Sequence, residues 1–477
     1  MTENKQSSFW DRALRNLRSA WNKIASDTDI SSKITISPNL DDSDLIQLID
    51  HMQACLDAKG GEVSARKRAA ELGHAYLSLT EYGRRKFLTT LAAEFSTNKR
   101  LISDAIQSLL QSKGADNLFL AEQKLRSILE APRIKLLMQF NGLPEGVKFL
   151  VDIRKELIPW TKDDIVLKGL EADLKTLLSS WFDVGFLELK QITWNAPASL
   201  LEKLIAYEAV HEIKSWDDLK NRLASDRRCF AYFHPRMPNE PLIFVWVALV
   251  EEIADNVQFL LDPDAPLGDP EKANAAIFYS ISNAQAGLTG INFGNFLIKR
   301  VVDSLSRDLP NIEHFATLSP VPGFNLWLNS CLDEETFDLI LPKHGEILLS
   351  ISKEAAPVAA LVDLLSRHEW YLDDLLLNAL KEPLMLLCAY YLIYEKRNKG
   401  TAADSVAHFH LNNGAHLERL NWLADLSARG LNQSSGIMVN YLYDLKTIDA
   451  NHESYSGGEP IIASVGVRNL LKTSAIT

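Results

Sequence analysis

The chain has 477 residues, of which 47% are hydrophobic and 23% charged, and it carries a net charge of −12. This is the composition of an ordinary globular protein, and the length exceeds a single hydrophobic core, so two or three domains are expected. The acidic balance weighs against nucleic acid and anionic membrane as partners, because neither meets a basic surface. Four cysteines, Cys55, Cys229, Cys331 and Cys388, lie far apart in no metal-ligand spacing, which predicts free thiols in a reducing compartment.

In the N-terminal stretch MTENKQSSFWDRALRNLRSAW, Phe9, Trp10, Leu14, Leu17 and Trp21 share one helical face, with Arg12, Arg15 and Arg18 elsewhere. The pattern predicts an amphipathic docking helix; a signal peptide would need an apolar core, and Glu3 and Asp11 oppose a transit peptide. No uninterrupted apolar run reaches membrane-span length, and the ending LLKTSAIT is not a peroxisomal signal. The expected location is the cytoplasm.

Up to residue 182 the sequence reads as successive helices. SDLIQLIDHMQACL spaces Leu45, Ile46, Leu48, Ile49, Met52 and Leu56 near the helical period. RRKFLTTLAAEF does so with Phe87, Leu88, Leu91, Ala92 and Phe95, and KRLISDAIQSLLQS with Leu101, Ile102, Ala105, Ile106, Leu109 and Leu110. Further helices are predicted over 125–140, 147–158 and 165–182. The segment holds no catalytic constellation and predicts a helical bundle for docking or self-association.

From VGFLELKQITWNAP onward, strand signals appear. A hairpin is predicted from 229–234 and 242–249, a further strand over 275–282, a helix in INFGNFLIKRVVDSLSRDL, and a strand in IEHFATLSPVPGF. Residues 370–394 read as a long apolar helix pair. In SGIMVNYLYDL, Val439, Tyr441 and Tyr443 would share one strand face. The second part is therefore α/β.

Three stretches could carry chemistry. TGINFGNFLIKRV follows a strand, holds Gly290 and Gly294 and opens a helix, which suits either a pyrophosphate or simply a tight turn; Lys299 and Arg300 could add charge. Ser319 ends a strand before two prolines, where its hydroxyl is fixed in direction; without a G-x-S-x-G elbow it is not a hydrolase serine. SVAHFHLNNGAHLERLNWLADLSARG holds His408, His410 and His416 around a turn. On an extended segment His408 and His410 would face the same side, with a helix following the turn; no carboxylate or cysteine pattern supports a metal there. One of these histidines could donate a proton, or all could be structural.

Taken together, FYSISNAQAGLTGINFGNFLIKRVV, FATLSPVPGF, YEAVHEIKSWDDLKNRL, FHPRMPNEPL and HFHLNNGAHLERLNWLADLSARGLNQSSGIMVNYLY resemble the malonyl-CoA decarboxylase family over nearly all of residues 192–443. The resemblance implies an α+β multidomain chain: an all-α bundle over 1–182, serving self-association into a dimer or tetramer, then an α/β GNAT acyltransferase-like catalytic domain over 183–477. It implies conversion of malonyl-CoA to acetyl-CoA and carbon dioxide with no metal or organic cofactor, and no nucleic acid or membrane partner. By motif, it places the catalytic serine at Ser319, the catalytic histidine at His410 rather than His408, and a supporting tyrosine at Tyr443. The acyl-CoA loop falls on Thr289, Gly290, Ile291, Asn292, Phe293, Gly294 and Asn295, and Lys203 lines up with a further lysine of the family. Asn292 stands where the general acyltransferase loop has glycine. Pro235 replaces a cysteine that some relatives use in an intersubunit disulfide. A GNAT-fold acyltransferase, or a malonyl-CoA sensor without turnover, are the competing readings.

Overall fold

The computed structural model describes Trp21 and residues 34, 36–57, 61–291, 297–332, 339–397 and 400–472. The chain forms two compact units. One comprises Met1–Glu188, Phe233–Leu242 and Ala284–Phe293, and the other Leu189–Tyr232, Ile243–Asn283 and Gly294–Thr477.

The first unit is helical, as its periodicity predicts. Its helices among the described residues are α1 Asp42–Leu56, α2 Gly61–Ser78, α3 Glu81–Glu94, α4 Lys99–Gln111, α5 Ala115–Leu129, α6 Pro132–Phe140, α7 Gly146–Trp160 and α8 Ile165–Trp181. Local chemistry marks the starts. Thr80, Asn98 and Asp164 cap α3, α4 and α8 by accepting first-turn N–H bonds, and Pro132 opens α6, where its missing N–H is no loss. Trp21 is fully buried; its ring meets Phe149 edge-on at 5.0 Å, and its Nε1 donates to the Pro144 carbonyl at 2.7 Å. Phe9, Trp10, Leu14 and Leu17 lie outside the described residues.

Within this unit, Arg154 of α7 is 2% exposed. Its guanidinium donates to Glu171 Oε1 at 2.7 and 3.0 Å, to the Gly287 carbonyl at 2.6 Å and to the Thr289 carbonyl at 2.8 Å. The planar fork thus fastens a short 3₁₀ turn, Ala286–Leu288, to α7. Gly287 permits this closeness, since a Cβ there would fall 1.8 Å from the Val151 carbonyl oxygen.

The second unit is built on an eight-stranded mixed sheet of order β1-β2-β3-β4-β5-β8-β6, with β7 also on β8. The strands are β1 Glu188–Ile192, β2 Arg227–Phe233, β3 Ile243–Val250, β4 Ala275–Asn283, β5 His314–Thr317, β6 Ser319–Pro320, β7 His416–Asn421 and β8 Met438–Leu442. The predicted hairpin is β2–β3, antiparallel with Arg227 opposite Ala248. The strand predicted over 275–282 is β4, antiparallel to β3 and parallel to β5. β3 and β4 are buried almost throughout, which explains why they read as continuous apolar runs.

Helices α9 Ala198–Tyr207, α10 Leu297–Asp308, α11 Asp374–Tyr394 and α12 Ser405–Asn412 belong to this unit. The predicted helix pair over 370–394 is instead one 21-residue helix, α11, preceded by a 3₁₀ turn, Trp370–Leu372. Asp373 caps α11, and the helix runs through Pro383, which is itself buried: packing carries the helix past a residue that would end an isolated one. Among the described residues α11 alone has the length and hydropathy of a membrane span, and most of it is buried inside the fold. The four cysteines are free thiols; burial pushes Cys55 up to about 11 and also raises Cys229 and Cys388.

The buried Arg154 fork sets an expectation. Removing one partner of a buried ion pair leaves an uncompensated charge, so Arg154→Ala should cost about 3–5 kcal/mol. Lys343, whose pair with Glu382 is exposed on both sides, should cost no more than about 1 kcal/mol on the same change. Urea unfolding of the full chain, compared at the midpoints, checks this; equal losses would contradict it.

Candidate active site

Ser319 lies where the strand that carries it parts from β4. β5 pairs with β4 only as far as Thr317, whereas pairing with β8 continues through Ser319 opposite Val439. Thr317 and Ser319, two residues apart, project to one face, and Ser319 Oγ donates to Thr317 Oγ1 at 2.9 Å. Pro320 and Pro322 then stiffen the exit.

His410 is on α12, and here the expectation of an extended segment fails. The Asp404 carboxylate caps the helix by accepting from the N–H groups of Val406 at 2.8 Å and Ala407 at 3.0 Å. Asn413 and Gly414 end it. Gly414 has φ +84°, and a Cβ there would lie 2.1 Å from the Ile448 carbonyl oxygen, so only glycine makes this turn. On a helix His408 and His410 point to different sides. His408 Nδ1 meets the Tyr455 hydroxyl at 2.8 Å, while His410 turns into the interior and is 3% exposed.

The helix predicted after the turn is strand β7, paired with β8. Leu417 and Leu420 are three apart and both buried, a helical spacing. A bulge between Leu417 and Arg419 shifts the strand by one residue and lets both face inward. His416 starts this strand, and its Nε2 lies 3.0 Å from Glu418 Oε2. The three histidines thus have three separate sets of partners.

Around His410 the side chains form one chain of hydrogen bonds. Its Nε2 is 3.0 Å from Ser319 Oγ, and its Nδ1 is 2.7 Å from the Tyr443 hydroxyl. The one proton of Ser319 is used on Thr317, so at the first contact Nε2–H must donate. Nδ1 is then the acceptor, and Tyr443 O–H donates to it. Thr317 Oγ1 also accepts from the Tyr441 N–H at 3.1 Å. The Tyr441 ring stacks on the imidazole at 4.6 Å and 24°. As predicted, Tyr441 and Tyr443 share a face of the β8 segment, and it is the His410 face. From the opposite face Asn440 Nδ2 donates to the Thr317 carbonyl at 2.7 Å, holding the strand that carries the hydroxyls.

Burial dominates the electrostatics. It pushes His410 from 6.5 down to about 3, equivalent to about 5 kcal/mol against the cation. A helix C-terminus, where His410 sits, favours a cation by at most about 2 kcal/mol. The imidazole is therefore neutral, and burial likewise holds the Tyr443 phenol well above its usual range, so it keeps its proton.

The structure brings Ser319 and Tyr443 each into direct contact with His410. Thr289, Gly290 and Ile291 belong to the helical unit, in the turn that Arg154 holds; Gly290 has φ +74°. Asn292, Phe293, Gly294 and Asn295 lie outside the described residues. Lys299 pairs with Asp449 at 2.8 Å, Arg300 lies over the Tyr232 ring at 5.8 Å, and Lys203 is buried on α9. Sequence reasoning did not single out Thr317 or the stacking role of Tyr441. The signal for both was the two-residue spacing, Thr317 before Ser319 and Tyr441 before Tyr443.

Two family models match the chain: Malonyl-CoA decarboxylase N-terminal domain over residues 95–182 and Malonyl-CoA decarboxylase C-terminal domain over 185–477. A mitochondrial malonyl-CoA decarboxylase from Anser anser anser is 39% identical over 416 residues, covering 84% of this chain and 82% of the relative. Its counterpart from Rattus norvegicus is 37% identical over 429 residues, covering 85% and 86%. Among solved structures, malonyl-CoA decarboxylase from Rhodopseudomonas palustris superposes with a TM-score of 0.81 at 39% identity, over 89% of this chain and 99% of that one. The enzyme from Agrobacterium vitis gives 0.80 at 38% identity, with the same coverage. With the two models together spanning most of its length, the chain belongs to the malonyl-CoA decarboxylase family.

Proposed function

We propose that the chain converts malonyl-CoA to acetyl-CoA and carbon dioxide at Ser319, His410 and Tyr443. Family membership supports the substrate. The observation that carries the site is the buried chain from Tyr443 through His410 and Ser319 to Thr317. In the reaction the bond from the α-carbon to the carboxylate breaks. Its electron pair moves into the thioester carbonyl, giving an enolate as carbon dioxide leaves. The α-carbon then takes one proton.

His410 supplies that proton from Nε2, directly or through a water, and regains it from solvent. An enolate is a strong base, so a neutral imidazole serves as its acid; a low pKa does not bar the role. Ser319, bonded to Nε2, orients the malonyl carboxylate or the proton path. Tyr443 donates to Nδ1 and keeps the proton on the other nitrogen, the one facing the substrate. Dry surroundings strengthen each of these dipoles toward the developing oxyanion.

The acyl-CoA loop is assigned to Thr289–Asn295; the positive φ of Gly290 and the exposure of Thr289 and Gly290 support it. We divide the chain into a helical domain, 1–182, and a GNAT-like catalytic domain, 183–477. The helical domain would mediate a homodimer or homotetramer. Leu101 and Leu110 on α4 and Leu118, Phe119 and Leu120 on α5 are exposed, which supports a contact surface there. The cytoplasm is the proposed location.

Carbon dioxide release from malonyl-CoA with no amine present tests the reading against acyl transfer and against a sensor. His410→Asn should lower kcat by about two or more powers of ten, and His416→Asn should be mild. Equal losses with folding intact would point to the wrong histidine. Tyr443→Phe removes one buried hydrogen bond and should lower kcat roughly tenfold; unchanged turnover would remove Tyr443 from the site.

Burial of neutral His410 also makes stability depend on pH. The folded value of about 3 lies below 6.5, so between them the unfolded chain binds a proton that the folded one does not. This contribution is complete above pH 6.5 and is lost as pH falls toward 3. Between pH 6.5 and 5 the loss amounts to about 2 kcal/mol. In His410→Asn the difference in unfolding free energy between pH 7 and pH 5 should shrink by about that amount, as read by urea denaturation.

A further inference from the structure

We propose that Asp404 is a positioning residue for the reaction: its carboxylate ties the turn after Ser319 to the helix bearing His410, and so sets the distance between the two. This rests on reading Ser319 and His410 as the reacting pair. The carboxylate is 1% exposed and uses both oxygens. Oδ1 takes the N–H groups of Val406 and Ala407, which makes it the cap of α12. Oδ2 accepts the N–H of Gly323 at 3.0 Å, and Gly323 follows Ser319 by four residues.

Both arms from this anchor are stiff. Toward Ser319 the chain runs through Pro322 and Pro320, whose φ angles are locked. Toward His410 it runs along less than two turns of helix, about 9 Å at 1.5 Å per residue. Gly323 lets its N–H come this close: a Cβ there would lie 2.2 Å from the Tyr391 hydroxyl and 3.3 Å from Asp404 Oδ2. An ordinary helix cap has no need of the second oxygen or of an unsubstituted neighbour. Burial raises the Asp404 pKa while three backbone N–H groups oppose it, as befits a buried acceptor.

Asp404→Asn separates the two duties. Asparagine caps as well as aspartate, but it turns an NH₂ toward the Gly323 N–H, donor against donor. The variant should keep KM for malonyl-CoA within about threefold and lose about 10- to 100-fold in kcat, the scale of a misplacement of about 1 Å. The same change made in Ser319→Ala should have little further effect on kcat, because no serine remains to be positioned. A role in folding alone would lower kcat by the same factor in both backgrounds. If Asp404→Asn does not fold by circular dichroism, Asp404→Ser, which keeps a capping oxygen without the opposed donor, takes its place in the comparison. Unchanged kcat in the folded variant, or equal factors in both backgrounds, overturns the proposal while leaving the active-site reading in place. Wild-type kcat in both Ser319→Ala and His410→Asn would instead overturn the active-site reading itself.

Discussion

One hydrogen bond joins Ser319 and His410, residues 91 positions apart, in the buried interior. The rest of the site can be read as what this bond requires. It needs a serine whose direction is set, an imidazole of one tautomer, and an interior dry enough to keep that imidazole neutral. The β5–β6 strand supplies the first through its pairing with β8 and the Thr317 contact. Tyr443 supplies the second and burial the third. Neutrality matters because an imidazolium has two N–H donors and could not accept from Tyr443, whereas a neutral ring can relay a hydrogen bond from one side to the other.

β8 organises these parts. One of its edges faces β5–β6 and the other β7, and alternate residues serve different ends. Tyr441 and Tyr443 stack on and bond to the imidazole, while Asn440, just before them, bonds the carbonyl of Thr317 and the side chains of Asn421 and Arg419. A one-residue slip would exchange these roles, so the register of a single strand decides whether the site exists. The bulge in β7 belongs to the same constraint, because it lets Leu417 and Leu420 both reach the core while β8 keeps its register.

The helical unit rests on a different kind of contact. A buried guanidinium with one carboxylate and two backbone carbonyls is rigid, because every donor direction is fixed by the planar fork. It sets the path of residues 286–289, which lead into the proposed acyl-CoA loop.

The helices of the first part, the β2–β3 hairpin, β4 and the shared face of Tyr441 and Tyr443 were readable from residue order alone, because each follows from periodicity and turn chemistry within a few residues. The motifs around Ser319, His410 and Tyr443 were legible through their resemblance to a family. Hydrophobic and polar spacing misled in two places, once against local capping and once against long-range pairing. His408-Phe409-His410 alternates like a strand but is a helix, since Asp404 caps it and Gly414 ends it. The stretch after Gly414 has helical spacing but is a strand, since pairing with β8 satisfies its backbone and a bulge absorbs the mismatch. That His410 is neutral, that its proton sits on Nε2, and that Thr317 and Tyr441 surround the pair came from packing. Burial and hydrogen-bond direction depend on neighbours scores of residues away, and no local window contains them.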